Sequence, residues 1–214
     1  MNKFQIIVEG AADKKFFEDY YRHLFHENAP EGSITLPIRG DKTGGYQKLF
    51  SENGINTLKE GMDYGATNLV IFDADNDFDA RRKDILNWKQ EHTVEFELFL
   101  LPNNHDAGTL EDLLENIINP NNRPIFDCWA HYEQELVQID IPGRTPPPLT
   151  TPAKKTKIYG YLEALLGTTK REKELIKDPN RNYENPQHWN LDAEYLEPLK
   201  AFIKKKIIQQ EQDA

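Results

Sequence analysis

The stretch that decides the fold is Leu69-Val70-Ile71-Phe72-Asp73-Ala74-Asp75-Asn76-Asp77, an apolar run that stops on acids at alternate positions. Near the start of the chain, Phe4-Gln5-Ile6-Ile7-Val8-Glu9-Gly10 follows the same plan. Short runs rich in Val, Ile and Phe, bounded by turn residues, read as strands buried on both faces, the kind found in parallel sheets. Open sheets of that class gather their ligands at the carboxyl ends of the strands. Glu9, Asp73 and Asp75 are therefore expected to converge, although they are far apart in the chain. Carboxylates forced together repel unless they share protons or hold a cation. An all-oxygen donor set suits Mg²⁺ or Mn²⁺. The expectation is a hard-metal site.

Working outward, Phe16, Phe17, Tyr20, Tyr21, Leu24 and Phe25 recur at helical spacing, which predicts a helix over Ala11–Phe25. Ile34–Ile38 reads as a strand ended by Pro37, and the glycine-rich 40–45 stretch as a turn into a helix through Leu49. A helix over Asp79–Trp88, a strand over Phe96–Leu101 and a helix starting near Thr109 follow. This strand–helix alternation predicts βαβ units and an α/β fold, with a central parallel four-stranded sheet flanked by helices. Residues 1–120 read as the core, and 121–214 as a helical carboxyl-terminal extension packed on it within a single domain. In that extension Lys157–Leu166 and Asp192–Gln209 carry apolar helical faces, 142–152 reads as a loop, and polar 170–190 as a flap.

Composition narrows the function classes. Hydrophobic residues make up 38% and charged residues 29%, which fits a packed domain rather than a disordered chain. A formal charge of −10 cuts against broad affinity for nucleic acid, so a polyanion would need a local basic groove. Candidates are Lys154-Lys155-Thr156-Lys157, Arg81-Arg82 and Lys204-Lys205-Lys206, each equally readable as a solvated helix face. The single cysteine, Cys128, excludes an internal disulfide framework and reads as a core residue. Met1-Asn2-Lys3-Phe4 runs straight into a strand without a signal peptide's layout, and no apolar run approaches the roughly 20 residues a bilayer span needs. A cytoplasmic chain with no membrane partner is expected.

The motifs together resemble the Toprim domain. Val8-Glu9-Gly10 with Ala12-Asp13-Lys14-Lys15-Phe16-Phe17 is similar to its glutamate motif, and Phe72-Asp73-Ala74-Asp75 to its paired-aspartate motif. Leu101-Pro102-Asn103-Asn104 and Gly108-Thr109-Leu110-Glu111-Asp112 resemble a further stretch of small stand-alone Toprim-like proteins, similar to the nuclease domain of the OLD (overcoming lysogenization defect) family. The resemblance covers roughly residues 3–120. It implies Mg²⁺- or Mn²⁺-dependent phosphodiester chemistry on DNA or RNA through a carboxylate-bound site of one or two metal ions, two of which could activate water and stabilise the leaving oxygen. It makes Asp73, Asp75 and Glu111 ligands, and Glu9 a ligand or general acid/base. Gly10, Asp77 and Asp112 stand in reserve. A carboxyl-terminal lysine, Lys155 with Lys157 behind it, would neutralise the transition state. A separate ATPase subunit is an implied partner.

Structural readings compete at each position. Glu9-Gly10 also fits a tight turn after a strand. Asp75, Asp77 and Asp79 also fit a solvated acidic turn before a helix. Thr109 and Asp112 have the spacing of a capping box. Among rival functions, a haloacid-dehalogenase-like phosphatase would use Asp73 as nucleophile and Asp75 as acid/base, leaving Glu9 without a role. A non-catalytic Toprim-like module binding nucleic acid or protein would need none of the acids.

Overall fold

The computed structural model describes residues 3–145 and 149–212; Met1, Asn2 and residues 146–148 of the expected 142–152 loop lie outside the described residues. In chain order the elements are β1 (Phe4–Val8), α1 (Ala11–Phe25), β2 (Ile34–Thr35), α2 (Glu52–Asp63), β3 (Thr67–Asp73) and α3 (Phe78–His92). They continue with β4 (Glu97–Leu101), α4 (Leu110–Asn116), α5 (Arg123–Leu136), α6 (Lys154–Leu166), α7 (Lys170–Ile176) and α8 (Glu197–Gln212). The four strands form one all-parallel sheet in the order β2-β1-β3-β4. The α/β architecture expected from the alternation is the one observed.

Period-two geometry explains why the strands read as unbroken apolar runs. Ile6, Val8, Leu69, Ile71, Phe99 and Leu101 pack on one face, against side chains of α1, α4, α6 and α8. Ile7, Val70, Phe72, Leu98 and Leu100 pack on the other, against Leu58 of α2 and Ile85 and Trp88 of α3. Helices cover both faces, so side chains pointing either way from the strands find apolar cover. Each such side chain contributes about 1.5–3 kcal/mol by leaving water.

Strand order places the site. The chain leaves β1 through α1 toward β2 at one edge, and leaves β3 through α3 toward β4 at the other. Neighbouring strands whose connections diverge leave a crevice at their carboxyl ends, between the departing loops. Val8 pairs with Ile71, so Glu9 leaves β1 level with Phe72, one residue before Asp73 ends β3, and both line a cavity there.

Several expectations are corrected. β2 is only Ile34–Thr35, stopping short of Pro37. α2, absent from the reading, begins at Ser51, whose hydroxyl accepts the Gly54 N–H at 3.2 Å. α5, for which the sequence reading gave no element, carries Pro124 in its first turn, where a missing N–H costs nothing. The 170–190 flap is a packed segment, with Ile176, Arg181, Tyr183, His188 and Trp189 all buried. Cys128 is exposed rather than in the core, because α5 buries only Phe126. Among the described residues no helix is long and apolar enough to cross a membrane.

Candidate metal centre

Glu9 and Asp73 sit at the floor of a cavity of about 370 Å³, joined there by Asp13 and Glu111. Each arrives from a different element. Glu9 follows β1, and its carbonyl accepts the Gly45 N–H at 2.8 Å. That bond pins the 40–45 loop over the crevice. Gly44 makes it possible: its φ is +62°, and a Cβ there would lie 2.1 Å from the Glu9 carbonyl oxygen. Asp13 lies in the first turn of α1 and accepts the Gly10 N–H at 3.1 Å through Oδ2. Asp73 ends β3, and its Oδ1 accepts the Leu110 N–H at 2.9 Å, which ties the strand to the start of α4. Glu111 is the next residue, and its Oε2 accepts the Thr109 hydroxyl at 3.0 Å.

These carboxylates are not satisfied by the fold. Glu9 Oε2 and Asp13 Oδ1 are buried with no hydrogen-bond partner, and Asp13 is only 8% exposed. Their proton affinities respond accordingly. Burial first, then the charges of Asp13, Glu9 and Glu111, pushes the Asp73 carboxyl up to about 9. Burial and then Glu9 push Asp13 up to about 7, with Glu111 adding to the effect. Glu9 is raised by burial and by Asp75, against the opposing pull of Arg81 and of the Asp73 and Tyr46 backbone amides. A divalent cation would supply the missing charge. The donor set is hard oxygen, and the orphaned atoms line one cavity, so the residues fit Mg²⁺ or Mn²⁺. Among the described residues no group of three or more His, Cys, Asp or Glu side chains is arranged to hold a metal ion, so a cation would have to draw these carboxylates together.

The walls carry cations. Lys155 lines the cavity and pairs with Asp178 at 2.5 Å. Asp178 is in turn held by the buried Arg181 at 3.0 Å. Lys42 and Thr43 line the cavity from the 40–45 loop. Asp13 and Asp178 were missed at the sequence level. Asp13 offered a signal, lying one helical turn beyond Glu9 at a helix start, whereas Asp178 sits in what read as a flap.

The remaining expected residues divide. Asp75 does not line this cavity; it adopts the left-handed conformation at φ +52° and pairs with Arg81 beside a second cavity lined by Asp77 and Asp84. Asp77 is the cap of α3, accepting the Ala80 N–H at 2.9 Å. Asp112 caps α4, accepting the Thr109 N–H at 2.7 Å, and pairs with Lys154 at 2.6 Å. Lys157 pairs with Glu115 at 2.8 Å, away from the cavity, while Gly10 lines it through backbone. Thus Lys154, Lys155, Lys157, Arg81 and also Lys206, which meets Glu97 at 2.9 Å, all face carboxylates. Each of these runs therefore has at least one member held by a carboxylate.

A protein-family model described as a protein of unknown function, DUF3226, matches residues 3–207. The chain belongs to the DUF3226 family. No curated protein and no solved structure matches it. The DUF3226 match takes in every residue of the cavity floor together with Lys155, Asp178 and Arg181, so floor and wall fall within one family unit.

Proposed function

We propose that this DUF3226 chain is a Toprim-like, Mg²⁺- or Mn²⁺-dependent phosphodiesterase acting on nucleic acid. The observation that carries the reading is the set of buried, mutually repelling carboxylates with orphaned oxygens where β1 and β3 end. Glu9, Asp13, Asp73 and Glu111, which line one cavity, would hold the cation once drawn together. A divalent ion there would polarise a phosphoryl oxygen and acidify a water. The Leu110 N–H keeps Asp73 oriented. In the metal-free chain Asp13, raised to about 7, can hold a proton at Oδ1 that a bound cation would displace. Lys155, kept over the cavity by Asp178, neutralises charge on a phosphoryl oxygen. Asp73 and Asp75 face different cavities, which counts against a haloacid-dehalogenase-like pair.

A cytoplasmic setting and an ATPase supplied by a separate chain belong to the same proposal. The test is to give metal-loaded wild type and Asp73→Ala labelled single- and double-stranded DNA and RNA. Cleavage by the wild type alone is the expected result. Metal binding without cleavage of any of the four would leave a nucleic-acid- or protein-binding module in its place.

A further inference from the structure

Beside the cavity of Asp13 and Asp73 lies a second one, lined by Asp75, Asp77, Asp84 and Arg81. We infer that the guanidinium of Arg81 takes the place of a second cation, so the centre accepts one divalent ion and Asp75 is not its ligand. This rests on the reading of the neighbouring carboxylates as a metal centre.

Arg81 is built in rather than draped over the surface. The cap at Asp77 starts α3, and the Arg81 N–H bonds the Asp77 carbonyl at 3.0 Å, which fixes where the side chain leaves the helix. The guanidinium carbon lies 3.6 Å from the centre of the Tyr46 ring. Tyr46 directly follows Gly45, the residue bonded to the Glu9 carbonyl, so the aromatic platform belongs to the same loop that covers the crevice. The Arg81 side chain is 11% exposed and its Nη1 is buried without a partner. A desolvated cation is costly unless it faces negative charge. Asp75 supplies that charge through a direct ion pair, and Glu9 feels the same guanidinium.

Asp75 is committed from the backbone outward. β3 ends at Asp73, so strand alternation no longer carries Asp75 to the Asp73 side. Its N–H is held by the Gly108 carbonyl at 2.9 Å, which fixes its left-handed turn. A planar guanidinium can balance charge and donate to a phosphoryl oxygen. It cannot acidify water. One ion then does the activation, and a fixed organic cation shares the charge.

The experiment is Mn²⁺ titration of the metal-free full chain by calorimetry, with free Mn²⁺ counted by electron paramagnetic resonance. Wild type is compared with Arg81→Met, Arg81→Lys, Asp75→Asn and Asp73→Ala, each first shown to melt cooperatively. We expect one ion per wild-type and Arg81→Lys chain, and two per Arg81→Met chain. Asp75→Asn keeps the first ion within about fivefold of wild-type affinity, the scale of indirect charge effects. Two ions in the wild type, or one in a folded Arg81→Met chain, would overturn the inference while sparing the metal centre. Loss of the ion in Asp75→Asn, which does not depend on Arg81→Met folding, would overturn it as well. No ion in the wild type would remove the metal reading itself, and this inference with it.

Discussion

Two groups of acids meet the carboxyl end of β3, one through Asp73 and one through Asp75, and burial treats them in opposite ways. On the crevice floor, Glu9 and Asp13 have orphaned oxygens, and Asp73 and Asp13 are pushed toward their protonated forms by burial and mutual repulsion. On the outer turn, Asp75 pairs with Arg81 and Asp77 caps α3. Both regions look alike as a string of acids. What distinguishes them is whether the fold has already answered their charge, because buried polar groups left unanswered point to something the chain itself does not contain.

The sharpest way to break that contrast is Asp13→Ala against Asp84→Ala. The first removes a proposed ligand and should weaken Mn²⁺ binding by more than about a hundredfold, beyond the range for disturbing a metal's supporting shell, and the second should leave it unchanged. Equal losses, measured by calorimetry, would erase the distinction between floor and turn.

Next in size is a pH effect on the metal-free chain. Asp13 and Asp73 bind protons more tightly folded than unfolded, so their contribution is present below about pH 4. It is lost as pH rises through about 7 for Asp13 and about 9 for Asp73. Melting in a chelator should therefore fall by more than about 5 °C between pH 5 and pH 9, with Asp73→Asn flattening the slope. Mg²⁺ should restore most of the loss at the alkaline end. A flat profile in the wild type would mean the floor is already neutralised.

Gly44→Ala tests the lid on the floor. The added Cβ meets the Glu9 carbonyl, and the positive φ adds strain, so a loss of about 1–3 kcal/mol is expected in denaturant melts. Asp77→Ala is the smallest change: about 1 kcal/mol from a lost helix cap, with Mn²⁺ affinity intact.

Legibility in the sequence followed the same division between local and distant causes. β1, β3 and α1 were readable because apolar runs and helical spacing are local, and α1 begins and ends where that spacing placed it. Glu9, Asp73 and Glu111 were readable as members of motifs and Lys155 as a lysine at the start of a carboxyl-terminal helix, and all four line one cavity. Asp75 was grouped with them by strand alternation, which lapses once the strand stops at Asp73 and the chain turns left-handed. Asp13 was hidden in a helix whose apolar face held the eye. α5 was obscured by the Pro- and Asn-rich 119–123 stretch that leads into it, where Pro120 stands at the start of a short helical turn. The segment around Tyr183 and Trp189 read as polar because its few aromatics, and not its majority residues, decide where it packs.

One buried contact has a consequence for how the chain is made. Asp19, in the first helix, is fully buried; Lys15 and Arg22 answer it locally, but its remaining oxygen accepts the Tyr183 N–H at 3.0 Å. Phe16, one turn earlier, packs edge-on against the Tyr183 ring at 5.2 Å. As the ribosome delivers the chain, α1 emerges early and waits for a segment synthesised more than 160 residues later, the separation of the Asp19–Tyr183 bond. A nascent chain halted at residue 170 would thus show its defect at the opposite end, with an aspartate short of a donor and an aromatic face turned to water.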